Sequence, residues 1–399
     1  MPPHYRFDRM ELAGSLGDLG TLLPMAIGMI LVNGLTPLGL FFSIGLYYIL
    51  SGLFFRITVP VQPMKVIGAY AIATAMTADQ VLASGAILAL IFLLIGLTGA
   101  MTFIGRLIPK SVVRGVQLST GILLTAEGIK FMIGTSTLQA LRQSAEPYLS
   151  VQTLGPFPIG IVIGIAGGLL SLYLLENRQV PAGLLIVVGG ALLGIFLGNH
   201  EGFSALRPGL NIPAILPFGI PAPVDFTFAL FALVLPQVPM TLGNAVIAYA
   251  DLSRDYFGKQ SKRVTYRAAC ISIGLANILS FLVGGMPLCH GAGGLAAHYR
   301  FGARTAGSNI MIGGLFLVLA VVLGNHALAM VNLIPMAVLG VLLFFAGIQL
   351  ALTIMDVRER KELFVIVMML GITLTSNLAV GFITGIGVAC ALRSKKLEV

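Results

Sequence analysis

The stretch Met286-Pro287-Leu288-Cys289-His290-Gly291-Ala292-Gly293-Gly294-Leu295 decides the fold. Hydrocarbon-compatible sequence surrounds it, yet it carries a proline, then a histidine, then three glycines in four residues. Unwound backbone at membrane depth is tolerated only where protein buries it or where it lines a water-filled cavity. Glycines also let a ligand approach the main chain closely. Leu295, Ala296 and Ala297 start a helix whose first free N–H groups point back at the gap. That arrangement is an anion site at a helix N-terminus. The plainer alternative is a re-entrant loop or kinked helix whose glycines serve close packing.

The 399 residues are 57% hydrophobic and 10% charged, and mean hydropathy is +0.98. A soluble domain carries about 25% charged residues. The composition therefore implies an all-α polytopic membrane protein. There is no tryptophan, so any interfacial aromatic belt comes from Tyr and Phe. Cys270, Cys289 and Cys390 are scattered and odd in number, which points to neither a disulfide framework nor a metal site. No signal-peptide pattern precedes the first span. No Ser-His-Asp order, Walker loop, HExxH or CxxC is present, so nothing supports an enzyme, and no cofactor is implied.

Fourteen hydrophobic segments follow, at roughly 12–32, 37–55, 60–77, 81–104, 111–132, 157–175, 181–198, 225–250, 263–284, 287–299, 305–324, 335–355, 361–375 and 377–393. The third and tenth are too short or too polar at their starts to be plain spanning helices; they read as broken helices preceded by short extended stretches. With the N-terminus inside and sides alternating, only Lys130, Arg142 and Arg207 fall outside and Lys65 falls within a segment. That leaves 20 of the 24 Lys and Arg inside, as the positive-inside rule requires. The net charge of +9 thus follows the membrane rather than a nucleic-acid partner. The expected location is the cell's inner membrane, with both termini cytoplasmic.

Three motifs recur in order. Leu23-Pro24-Met25 returns as Val238-Pro239-Met240, and Val59-Pro60-Val61-Gln62 as Met286-Pro287-Leu288-Cys289. Arg106-Leu107-Ile108-Pro109 through Val116 returns as Asn332-Leu333-Ile334-Pro335 through Val341, with one residue deleted. Seven segments per half is an odd number, so the second copy inserts upside down, the 7+7 inverted-repeat plan of many secondary transporters. The halves are 1–199 and 225–399, joined by a Pro-rich linker at 200–224.

Inversion brings two half-helices together N-terminus to N-terminus, each with unpaired donors and a partial positive charge. Around that point lie Gln62, Lys65, His290, Gly291 and Gly293. An intramembrane lysine is costly and functional by default; the alternatives for Lys65 are snorkelling or pairing with Asp18 or Glu127. His290 donates to an oxyanion or takes up a proton, or else stays neutral and holds the loop. In the first segment Ser15 and Asp18 share a helix face. Asp18 pairs with Lys65, stays protonated, carries the coupling proton, or caps a kink. In the eighth, Gln237, Thr241 and Asn244 form a polar stripe at i, i+4 and i+7, which faces protein or a cavity rather than lipid.

The stretches Glu11–Thr21, Pro236–Thr241 and Cys289–Arg304 resemble motifs of the molybdate transporters related to sulfate permeases. The resemblance implies a core domain (11–104 plus 225–324) and a gate domain (105–199 plus 325–393). It further implies an anion held between segments 3 and 10, beside 1 and 8, and an elevator-type movement of core against gate. In the related uracil permeases acidic residues on segments 8 and 10 touch substrate; those positions look like Gln237 and His290 here, a change that suits an anion.

The function expected is secondary transport of a tetrahedral oxyanion, molybdate first. Sulfate, another small anion or a nucleobase, and an anion channel, are the alternatives. The substrate site is expected from Ser15, Asp18, Gln62, Lys65, Gln237, Thr241, His290, Gly291 and Gly293, with His290 and Asp18 as proton-coupling candidates. Partners are the oxyanion, a coupled proton or cation, the lipid bilayer, and a second copy of the chain in a homodimer. Cysteine-accessibility labelling checks the topology: both termini should be protected from outside reagents, and labelling near Val399 from outside would refute the fourteen-span scheme.

Overall fold

A computed structural model describes residues 5–99, 109–174, 177, 182–198 and 207–392. The start of the repeated motif at Arg106, the first part of the central linker and the basic tail from Arg393 to Val399 lie outside them.

Asp8 starts α1 (Arg9–Leu16) by accepting from the N–H groups of Met10 and Glu11 at 3.0 Å. α2 (Leu19–Leu31) follows after Gly17 and Asp18, and the pair is bent by 49° there. The single first segment is therefore two helices with Asp18 at the corner. Thr36 caps α3 (Pro37–Phe55), which carries proline in its first turn. The chain then runs extended into β1 (Gln62–Pro63) and a nine-residue helix, α4 (Lys65–Ala73). α4 stops where Asn33 Nδ2 donates to the carbonyls of Ala71 and Met76, both at 2.8 Å. α5 (Ala78–Thr98) opens on a Thr77–Gln80 capping box. α6 (Lys110–Ile133), α7 (Thr137–Arg142), the β2–β3 hairpin (Thr153–Leu154, Phe157–Pro158), α8 (Ile159–Leu174) and α9 (Ala182–Leu197) complete the first half.

The second half opens with α10 (Pro223–Ser261). Pro236 and Pro239 withhold N–H groups from its ladder, and wide π-helical turns flank them at Leu230–Val234 and Thr241–Ala248. After α11 (Tyr266–Val283) come β4 (Leu288–Cys289) and the ten-residue α12 (Ala292–Phe301). α13 (Gly307–Val331), α14 (Met336–Asp356), α15 (Arg360–Thr375) and α16 (Leu378–Ala391) follow.

Among the described residues seven helices are long and apolar enough to cross a bilayer, or eight if the bent α1–α2 pair counts as one span. α8, α9 and α16 are apolar but shorter, and α4 and α12 are shorter still. Length and composition among the described residues thus do not reproduce all fourteen segments as full-length helices.

β1 and β4 pair antiparallel, Gln62 opposite Cys289 and Pro63 opposite Leu288. Gln62 and Cys289 are the residues that the repeated motif aligns. Buried asparagines hold the flanking backbone. Asn309 accepts from Val59 N and donates to Val59 O, both at 2.8 Å. Asn277 does the same for Leu288, at 3.2 and 2.8 Å. The backbone N–H and C=O groups of Val59 and Leu288 are thereby satisfied inside the protein.

Glycines set the close contact of α6 against α14. A Cβ at Gly128 would lie 2.6 Å from Gly340 O, and one at Gly340 would lie 2.6 Å from Gly128 O. Small residues let two backbones approach in this way without an aqueous hydrophobic drive. Gly340→Val should therefore destabilise by about 1–3 kcal/mol, the usual cost of overpacking. Gly314→Val, with open space around it, should leave the melting temperature of the purified protein unchanged. Equal melting temperatures for the two variants would show that the α6–α14 contact is not rigid.

Candidate functional site

The two short helices α4 and α12 present their N-termini on either side of the β1–β4 pair. Those termini are not equivalent. At α4, Gln237 Oε1 accepts from Val66 N at 2.9 Å and Ile67 N at 3.1 Å. Gln237 Nε2 then donates to Thr241 Oγ1 at 2.8 Å. The first turn of α4 is thus capped by a side chain from α10. At α12, Leu295 N returns to Gly291 O. Among the described residues the N–H groups of Ala292, Gly293 and Gly294 have no hydrogen-bond partner. Such open donors, with the helix dipole behind them, attract an anion.

α12's N-terminus faces a cavity of about 960 Å³. Its lining includes the buried Asp18, Gln62 and Gln117, the exposed Lys110, Gly293, Arg300 and Gln349, and, between them in burial, Thr21, Lys65, Asn244, Arg114 and Thr353. Among the described residues its ionisable lining consists of the basic Lys65, Lys110, Arg114 and Arg300 and the acidic Asp18. Gln62 Nε2 donates to Asp18 Oδ1 at 2.7 Å. Asp18 Oδ2 and Gln62 Oε1 are buried with no partner among the described residues. Lys65 is half-buried, and its ammonium makes no ion pair or hydrogen bond among them. Glu127, one of its two expected partners, pairs instead with Lys130 at 3.1 Å.

Of the nine expected site residues, Asp18, Gln62, Lys65 and Gly293 line the cavity and the other five do not. Ser15 turns back to its own helix, donating to Leu12 O at 2.7 Å. Gln237 and Thr241 are spent on each other and on α4. His290 is fully buried; its Nδ1 meets Pro60 O at 3.0 Å, which places the proton there, and Nε2 meets Tyr47 Oη at 2.9 Å and Ser272 Oγ at 3.0 Å. Stacked between Tyr47 and Tyr249, it holds the two extended stretches together rather than facing the cavity. Gly291 faces Gln62: a Cβ there would collide with Gln62 Oε1.

The polar stripe on α10 divides because of its wide turns. Gln237, Thr241 and Asn244 share a face only in a regular helix. Beyond Thr241 the backbone is π-helical, and Asn244 is left on the cavity side. Lys110, Arg114 and Gln117 went unnoticed as lining residues, although their i, i+4, i+7 spacing on α6 was the available signal.

The family model described as molybdate transporter of MFS superfamily matches residues 10–124 and 229–350. Molybdate transporter 2 of Arabidopsis thaliana is 33% identical over 97% of this chain and 88% of its own. The transmembrane domain of the cyanobacterial bicarbonate transporter BicA superposes with TM-score 0.63 at 18% identity, covering 96% of this chain and 98% of that one. Murine solute carrier 26 family member A9, an anion transporter solved in an inward-facing state, gives 0.66 at 14% identity over 100% of this chain and 70% of that one. At such identities the solved structures speak for the fold.

Two glycines one residue apart should respond differently to a side chain. A Cβ at Gly293 meets nothing within 4 Å, so Gly293→Val should keep the wild-type melting temperature. Gly291→Val should lower it by several degrees, because Gln62 is buried and held by Asp18. Equal losses in thermal unfolding would mean that the α12 terminus is packed and not open.

Proposed function

We propose that this chain, which belongs to the molybdate transporter family, is a secondary transporter that carries a tetrahedral oxyanion, molybdate first, through the cavity at the open end of α12. The chief support is that helix N-terminus at Gly293, unengaged among the described residues, in a cavity that it shares with Lys65 and whose described lining carries four basic residues and one acidic one. The oxyanion accepts from the main-chain N–H groups of Gly293 and its neighbours and from Gln62, and Lys65 supplies the balancing charge. Gln237, Thr241, Ser15, Gly291 and His290 act behind these groups, setting the position of the helix ends. Molybdate and sulfate are both tetrahedral dianions, so size and the reach of Lys65 distinguish them.

The cavity walls support an elevator. Asp18, Gln62, Lys65, Asn244, Gly293 and Arg300 come from the proposed core (11–104 plus 225–324), and Lys110, Arg114, Gln349 and Thr353 from the proposed gate (105–199 plus 325–393). An anion between two such bodies is released to one side when the core slides past the gate. In the 7+7 arrangement with both termini cytoplasmic, the basic mouth at Lys110, Arg114 and Arg300 opens inward. Asp18 is the coupling candidate that the cavity favours, since proton uptake there removes the negative charge nearest the anion.

Titration of the purified protein with molybdate, tungstate, sulfate and uracil tests the proposal. Molybdate should saturate and uracil should not. Gly293→Val should abolish the high-affinity molybdate binding in a folded protein. Lys65→Gln should weaken it by about tenfold or more, as loss of one charge-assisted hydrogen bond does. Saturation by uracil alone, or full molybdate affinity in folded Gly293→Val, would overturn it.

A further inference from the structure

We infer that the cavity mouth holds a second oxyanion site, built from Lys110, Arg114, Gln117 and Thr353, in which the Asp356 carboxylate is a displaceable internal occupant. All four residues line the cavity, and Asp356 is not among its lining residues. Asp356 reaches in from the end of α14, and two cations grip it. Arg114 Nε meets Oδ1 at 2.9 Å and Arg114 Nη2 meets Oδ2 at 2.6 Å. Lys110 Nζ lies 3.0 Å from Oδ2 and donates to Asp356 O at 3.1 Å. Arg114 Nη1 donates to Gln117 Oε1 at 2.7 Å, and Thr353 Oγ1 donates to the same oxygen at 3.0 Å.

The forked guanidinium and the ammonium therefore already hold two oxygens of one anion. That is the geometry with which arginine binds carboxylate or a tetrahedral oxyanion. The carboxylate carries one negative charge against two positive ones, so the cluster keeps a net attraction for anions. A dianion satisfies both cations, and Asp356, with a side chain 44% exposed, has solvent to swing into. Holding helices together does not require this cluster: α6 and α14 are already joined through their glycines, and exposed ion pairs contribute little to stability. At the exposed end of the cavity, such a site concentrates anions and passes them inward. Competition from Asp356 keeps its affinity low enough for release.

The inference rests on the oxyanion-transport reading above, and its test separates the two. Equilibrium dialysis of labelled molybdate on the purified full chain supplies the measurement. Melting temperatures confirm folding, and Asp356→Ser stands in if Asp356→Asn does not fold. In Gly293→Val, which blocks the inner site, weak binding should remain. Adding Asp356→Asn should tighten it by about tenfold, the worth of freeing one charge-assisted contact. Adding Arg114→Gln to that pair should remove it. Asp356→Asn alone should bind a second molybdate per chain with the inner affinity unchanged. Absence of binding in folded Gly293→Val/Asp356→Asn, while wild type binds, would overturn the mouth site and spare the inner one. So would binding that survives Arg114→Gln. Absence of binding in wild type would overturn both.

Discussion

A peptide group inside a bilayer must find its hydrogen-bond partners within the protein. Around Val59–Met64 and Met286–His290 the chain leaves helix for buried, extended backbone, and the polar interactions around it answer that one demand. The β1–β4 pair satisfies some groups. Asn309 and Asn277 bracket one peptide each. His290 takes the Pro60 carbonyl, which no proline-containing ladder would otherwise reach. The buried polar residues that look like chemistry in the sequence are largely the partners of this unwound backbone.

Once those debts are met, what remains open is informative. The repeat makes the α4 and α12 ends formally equivalent, and the side chains break the equivalence. Gln237 closes the first turn of α4 with a single carbonyl oxygen shared by two N–H groups. Among the described residues no side chain caps α12 in this way, and Gly293 faces open space. A small anion between the two ends would thus draw its main-chain donors from one of them and its full charge, Lys65, from the other.

The membrane class, the break at Pro287–Gly293, its repeat partner at Pro60–Gln62 and the cavity positions of Asp18, Lys65, Gln62 and Gly293 were legible in the chain. Each is a residue type that a hydrocarbon environment does not admit without cause. The directions of Gln237, Thr241 and His290 were not legible. A polar stripe at helical spacing shows that a face is polar, and both a cavity and a neighbouring helix end meet that condition. Here the π-helical turns of α10 also spoil the spacing, turning Asn244 to the cavity. His290 is polar for a reason residue type conceals: the carbonyl of Pro60, seven segments away in the chain. The basic residues at the cavity mouth were read by their side of the membrane, which accounts for their number and not for the stripe that Lys110, Arg114 and Gln117 form on α6.

Asp18 is the one acid among the described residues of the cavity, and its position offers a reason for it. A side chain at Gly294 would meet Asp18 Oδ2 at 2.5 Å and Gln62 Nε2 at 2.7 Å, so the carboxylate lies against the first turn of α12. That is the same donor field an oxyanion would use. Charge at Asp18 and charge on the substrate are then alternatives there: two anions at a few ångströms repel strongly where water is scarce. On the proposed reading, binding an oxyanion favours protonation of Asp18, and by reciprocity a protonated Asp18 favours the oxyanion. An internal carboxylate at the inner site and another at the mouth, Asp356, would then follow one rule. Each holds cationic or donor groups in place while the substrate is absent and yields to it when it arrives, the first by taking a proton and the second by moving into solvent.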